Sequence, residues 1–337
     1  MLTRPQLPIK FIYYAEHVFR QMVPGWWLRS QLPRKLAAAT SPNFAQARSR
    51  VDYYLGLNER FELGPNAKNQ RQVNWEGFWL RRWVARMALR HLGWDWNKAY
   101  NSTYYADFNR YARYFDPRLK FAYRFGDNRS PLEVPSFTKS RRIGEWPPNG
   151  VLLKLNEFRH FKRVSDSLTF EQKQPSAVFR GACHQPWRKE FLRLTRGMAH
   201  TDFGDTRSNA LASDRKPFLS FSEQLRHRFV VSIEGNDVAT NLKWIFSSNS
   251  LCMMPKPKIE SWFMEGRLIP GVHFVELRDD FSDLPEKMEH YNRYPEEALR
   301  IIAAARIYRS QFDDPVHEQL ISLMVMEKYF KLSGQLP

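Results

Sequence analysis

Cysteine is nearly absent: the 337-residue chain carries two, Cys183 and Cys252. Two thiols cannot build a disulfide framework, and neither has a Cys or His neighbour at zinc-ligand spacing, so both read as buried, inert thiols. Long apolar runs are also missing. No stretch reaches the roughly 18 uninterrupted apolar residues of a spanning helix. The N-terminal "FIYYAEHVFRQ" is broken by Glu16, His17 and Arg20 where a secretory leader would stay apolar. A chain retained in the cytoplasm is expected. Neither a G-x-G-x-x-G fingerprint nor a G-x-x-x-x-G-K-[ST] phosphate loop is present. The "DFG" at Asp202–Gly204 lacks the Gly-rich loop and H-R-D elements of a kinase. Acids are scarce too: 35 Asp and Glu face 52 Lys and Arg, a net charge of +17.

What is present is apolar and aromatic. The 43% hydrophobic and 15% aromatic content excludes a disordered chain, and the length suits two ordinary domains. The charge predicts attraction to polyanions, whether nucleic acid, an anionic membrane surface or a phosphorylated ligand. Residues 1–50 hold Arg4, Lys10, Arg20, Arg29, Arg34, Lys35, Arg48 and Arg50 against the single acid Glu16, with Phe11, Tyr13, Tyr14, Phe19, Trp26 and Trp27 among them. Such a helix fits the headgroup region of a membrane, and equally fits one packed on its own domain with a solvated basic face.

Farther along, Trp75, Phe78, Trp79, Trp83, Met87 and His91 recur at helical spacing and predict an amphipathic helix ending near Gly93. "LKFAYRF" and "GVLLKL" read as strands separated by the Pro-rich loop "GDNRSPLEVPSF". After "EQKQPS" the pattern changes. "AVFRGACHQPWRKEFLRLTRG" reads strand, turn, helix, and "FVVSIEGNDVATNLKWIFSSNSLCMMP" reads strand, turn, helix, strand. "GVHFVEL" is a further strand, and the helical pattern after it is split at Pro295. Alternating strands and helices imply an α/β domain with a parallel sheet.

Ligands of such sheets sit beyond the carboxyl ends of strands. At one such end Gly235 would let a ligand approach the backbone, a helix start would offer N–H groups, and Lys243 would add charge. A plain turn at Gly235 with Asn236 or Asp237 as helix cap explains the same residues. Arg180 and Arg188 follow the neighbouring strand, and a guanidinium fork suits phosphate oxygens. Glu260 and Glu265 are candidate acceptors for ribose or sugar hydroxyls, or surface acids.

"VFRGACHQPWR", "SIEGNDVATNLKWIFSSNSLCMMPKPKIESWFMEGRLIPGVHFVELRDDFSDL" and "FAYRFGDNRSPLEVPSFTKSR" resemble glycosyltransferase family 90, over roughly Leu119 to Phe312. That family includes bacterial lipopolysaccharide-modifying transferases and Rumi-type protein O-glucosyltransferases. The resemblance implies a GT-B architecture, two Rossmann-like domains facing a cleft, and inverting, metal-independent transfer from a UDP-sugar without a cofactor. By the same resemblance Asp127 matches the general base, Arg180 and Gly181 the "FRG" element at the donor phosphates, and Gly235 to Lys243, with Thr240 and Asn241, the nucleotide-sugar loop. Asn241 stands where the eukaryotic branch is expected to carry arginine.

The expected organisation is an acceptor-side domain over 1–170, a nucleotide-sugar-binding domain over 171–310 and a C-terminal helix over 311–337. The expected activity is glycosyl transfer to lipopolysaccharide core or a related lipid-linked glycan, on the inner face of a bacterial cytoplasmic membrane, with no nucleic acid as partner. Transfer to a protein, or a basic nucleic-acid-binding module, are the competing readings.

Overall fold

The computed structural model describes residues 6–39, 44–73, 100–144 and 148–337. The aromatic stripe from Trp75 to His91 lies outside them. The chain divides into two compact units, Met1–Phe158 with Asp314–Pro337, and Arg159–Asp313.

In unit 2 the apolar runs become strands covered on both faces, as a parallel sheet requires. They are β5 (Gln174–Gly181), β6 (Thr201–Asp205), β7 (His227–Val231), β8 (Leu251–Pro255) and β9 (Val275–Leu277). In unit 1, β1 (Lys68–Asn69), β2 (Lys120–Arg124), β3 (Ser136–Thr138) and β4 (Gly150–Leu152) precede them. The sheet of unit 2 is parallel throughout and ordered β9-β8-β7-β5-β6. Its winding therefore reverses between β5 and β7, where the chain leaves the sheet in opposite directions. Phe191, Phe203, Phe229 and Phe281 fill the core beside it.

Local chemistry decides the connections. The helix after β5, Pro186–Leu194, opens on proline at its first position, where the missing N–H costs nothing, and buries Phe191 and Leu192. The helix expected within "NDVATNLK" is much shorter than the pattern suggests, covering only Leu242–Ile245. Between β7 and that turn the polar side chains compete for the backbone: Asn241 Nδ2 donates to Val231 O at 3.0 Å, and Ser232 Oγ donates to Asn241 Oδ1 at 3.0 Å. Pro295 divides the later helical pattern into Leu284–Arg293 and Pro295–Ser310, as its sequence indicates.

Unit 1 carries a four-stranded sheet, β1-β2-β3-β4, in which β2, β3 and β4 run parallel and β1 antiparallel. Strand β2 reaches β3 through the Pro-rich loop, with no helix between them. The C-terminal helix, Pro315–Leu332, belongs to this unit rather than standing apart. Its Glu318 is buried and paired with Arg50 at 2.7 Å and Lys154 at 3.1 Å, while Tyr329 accepts from Ala122 N and donates to Pro135 O. The expected boundary near residue 170 falls instead after Phe158. The reason is aromatic packing: Phe161 lies against Phe263 and Phe312 of unit 2.

Candidate active site

The reversal point of the unit 2 sheet is flanked by the loops after β5 and β7, which are the two motifs singled out from sequence. They are stitched together by Arg188. Its Nε donates to Glu234 O at 2.9 Å, Nη2 to Ile233 O at 2.6 Å and Nη1 to Ala182 O at 3.2 Å, with the guanidinium over the Phe179 ring. Trp187 Nε1 adds a bond to Glu234 O at 2.8 Å. Both predicted glycines face this guanidinium. A Cβ on Gly235 would stand 3.3 Å from Arg188 Nη2, and one on Gly181 would stand 3.4 Å from Nη1 and 3.0 Å from the Phe179 ring. Their lack of a side chain makes room for Arg188 in the first instance.

Gln185 links the same two loops. Its Nε2 donates to the exposed Asn236 Oδ1 at 2.6 Å, while its Oε1 is buried without a hydrogen-bond partner. A buried amide oxygen left unpaired costs about 1–3 kcal/mol, so a donor group supplied from outside would be welcomed there.

Other expected ligands are placed differently. Arg180 turns back along the sheet: its guanidinium pairs with Asp202 at 2.7 Å and donates to Asp202 O and Pro217 O. Burial alone would raise the Asp202 carboxyl, but the hydrogen bonds from Lys216 and Arg180 outweigh it and hold the group below its usual value. Lys243, expected to offer charge to a ligand, is fully buried and paired with Glu265, over the Phe263 ring. Glu265 also accepts from Ser261 N at 2.6 Å. An ammonium taken wholly out of water needs such a partner, so both residues are interior, not ligand-facing. Asn241 braces the loop as described, Thr240 is half-buried beside it, and Asp237 and Glu260 are buried.

Four further residues at the carboxyl edge are not singled out individually by the sequence: His184 and Trp187, which stand within "VFRGACHQPWR", and Asp205 and Arg207, at and just beyond the end of β6. Asp205 accepts from Cys183 N and chelates Arg207, whose Nη1 lies 3.4 Å from His184 Nδ1. Burial would raise Asp205, yet the Arg207 bonds keep it ionised and lowered overall. Cys183 itself is pushed up to about 12 by burial and is no nucleophile.

In unit 1, Asp127 follows β2 and Lys139 follows β3, so both lie beyond the carboxyl ends of adjacent parallel strands. Lys139 Nζ sits 2.6 Å from Asp127 Oδ1, and the Tyr104 hydroxyl donates to the same oxygen at 3.1 Å. Lys139 and Tyr104 are buried, whereas Asp127 is only partly so. The carboxylate is thus oriented from beneath by two interior donors, unlike a solvated turn residue. Among the described residues no group of three or more His, Cys, Asp or Glu is disposed to hold a metal ion, and no helix is long and apolar enough to cross a membrane.

The sequence profile of glycosyl transferase family 90 matches residues 145–333. An O-glucosyltransferase LpsA of Dichelobacter nodosus is 39% identical over 332 residues, 96% of this chain and 96% of that protein. Protein O-glucosyltransferase 2 of Danio rerio is 25% identical over 147 residues, 41% of this chain and 29% of that protein. Similarity to a glucosyltransferase along nearly the whole chain, together with the family profile, identifies the protein as a glycosyltransferase of family 90.

Proposed function

We propose that the protein transfers a hexosyl or pentosyl group, glucosyl in the first instance, from a UDP-sugar to a hydroxyl of a saccharide or lipid-linked glycan such as lipopolysaccharide core, with inversion at the anomeric carbon. The two units then serve as the halves of a GT-B enzyme, unit 2 taking the donor and unit 1 the acceptor. What carries the donor reading is the reversal point of the unit 2 sheet, where the unpaired Gln185 Oε1 lies between the two loops that Arg188 ties together. Uracil N3–H or a ribose hydroxyl supplies the kind of donor that this oxygen lacks.

In the proposed reaction Asp127 takes the proton of the acceptor hydroxyl as its oxygen bonds to the anomeric carbon. The bond from that carbon to the diphosphate breaks on the opposite face, and UDP departs with the electron pair. Backbone N–H groups of the two loops and the Arg188 and Arg207 guanidiniums are the nearby cationic and dipolar groups suited to the growing charge on the diphosphate. The donor is a substrate, and the scheme calls on neither a metal nor a cofactor. Glucosyl transfer is favoured by the name of the bacterial relative. A glycan is favoured over a protein acceptor because the likeness to that relative spans the chain, whereas the protein O-glucosyltransferase shares only part of it.

Incubation with a panel of UDP-sugars and glycan acceptors, with UDP release as the readout, tests the proposal. Turnover with a UDP-hexose or UDP-pentose is expected. Thermal stabilisation by an oligonucleotide and none by UDP would overturn it in favour of a nucleic-acid partner.

A further inference from the structure

The first two helices of unit 1, α1 (Gln6–Met22) and α2 (Gly25–Ala38), meet at a corner formed by Val23 and Pro24. One side of α1 is committed to the protein: the Tyr13 hydroxyl donates to Asp107 Oδ1 at 2.6 Å, and the buried His17 ring lies edge-on to Tyr105. Among the described residues the other side is not. Ile12 and Phe19, seven residues apart, and Met22, three further on, share one helical face and are 64%, 68% and 74% exposed. Trp26 and Trp27 in the first turn of α2 are 67% and 46% exposed.

The corner is held in place rather than left to move. Arg113 donates to Arg20 O at 2.6 Å, to Gln21 O and to Val23 O, which caps the end of α1, and Trp27 N bonds Pro24 O at 3.1 Å. Cations lie beside it, with Arg20 paired to the exposed Glu16. Arg34 is exposed, Arg118 is highly exposed and paired with Asp116, and Arg29 lies near enough to lower the Asp116 carboxyl further.

We infer that this corner is a membrane-docking surface, in which Phe19, Met22, Trp26 and Trp27 enter the headgroup region of an anionic lipid surface and the arginines meet the lipid phosphates. Tryptophan prefers that depth, and each nearby Lys or Arg adds on the order of 1 kcal/mol at an anionic surface. The occupant follows from charge. A second copy would set the same positive rim against itself across a two-fold axis, whereas an anionic bilayer complements it. The inference stands apart from the donor reading, because it involves no residue of the sugar-transfer scheme. It divides the N-terminal segment between packing and lipid: Tyr13 and His17 pack, and Phe19 to Trp27 dock.

Co-sedimentation of the full chain with vesicles of phosphatidylglycerol and phosphatidylethanolamine, against pure phosphatidylcholine vesicles, tests it. The protein is expected to bind the anionic vesicles at least about tenfold more tightly. The variant Phe19→Ser/Met22→Ser/Trp26→Ser/Trp27→Ser, altered only at exposed positions, is expected to lose that binding with an unchanged melting temperature. Arg29→Glu/Arg34→Glu is a second variant, expected to weaken it without touching the apolar side chains. Equal binding by parent and quadruple variant would overturn the inference, as would failure of the parent to bind anionic vesicles. So would a parent dimer that the quadruple variant converts to monomer. UDP binding by the same preparations is read separately, so failure of the donor reading leaves this result interpretable.

Discussion

Lys139 and Asp127 form an ion pair of 2.6 Å in which the cation is interior and the carboxylate is partly open. The burial is lopsided in the sense a base needs: the supporting charge is shielded from water while the reacting oxygens stay near the surface. If Asp127 is the base, Asp127→Asn should lower turnover by about 10²- to 10⁴-fold with UDP affinity nearly unchanged. Rates of UDP release and titration calorimetry measure the two, and full turnover in the variant would remove Asp127 from that role.

Gln185→Leu separates binding from stability. Removing the unpaired oxygen offsets the loss of the bond from Nε2 to Asn236, so the melting temperature should change little, while UDP affinity falls about tenfold for one lost hydrogen bond. Unchanged affinity would place the nucleotide elsewhere.

Lys243 and Glu265 are predicted to matter for folding, not for the donor. Lys243→Met strands a buried carboxylate and should cost about 3–5 kcal/mol, and Lys243→Met with Glu265→Leu should recover most of it. Urea unfolding of the two variants and the parent tests this, and the double variant should bind UDP like the parent.

His17 on α1 and Asp107 packed against that helix give opposed pH dependences. Burial, reinforced by Glu157 and resisted by Tyr13 and Arg110, pushes Asp107 from 3.8 up to about 7. Its contribution to stability is complete below pH 3.8 and is lost as pH rises towards about 7. Burial, with Arg20 and Arg113, lowers His17 from 6.5 to about 4, and its contribution is complete above 6.5 and lost as pH falls towards 4. The slopes therefore offset each other between about pH 4 and about pH 6.5. Asp107→Asn should expose the His17 slope, with stability falling on acidification, and His17→Phe the reverse. Urea midpoints across that range measure both slopes, and parallel profiles in the two variants would contradict the assignment.

Much of unit 2 is legible in its sequence because parallel strands are apolar on both faces and announce themselves as runs, "AVF", "FVV" and "LCMM". The two site loops are legible for the same reason, being the polar breaks that follow such runs. Which way a side chain turns is not legible. Arg180 and Arg188 look alike in "FRGACHQPWR", yet strand geometry sends one back to Asp202 and helix geometry brings the other across to Glu234. Lys243 misleads similarly, since its partner Glu265 lies beyond an intervening strand and no local pattern reveals the pairing. The short helix at Leu242 reflects side-chain bonds from Asn241 that periodicity does not register. Membership of the C-terminal helix in unit 1 rests on Glu318 meeting Arg50 and Lys154, contacts too distant in sequence to be read from it.

That last arrangement orders the protein's birth. Every residue of unit 2, Arg159–Asp313, is synthesised before the helix Pro315–Leu332 is. The middle of the chain can therefore close its core while the first-made part waits for its last piece, with Phe137 lacking the ring of Tyr329 and Arg50 lacking the carboxylate of Glu318. Unit 2 is thus complete in sequence before unit 1 is, and a released chain ending before Pro315 should resist protease in unit 2 while unit 1 is cleaved.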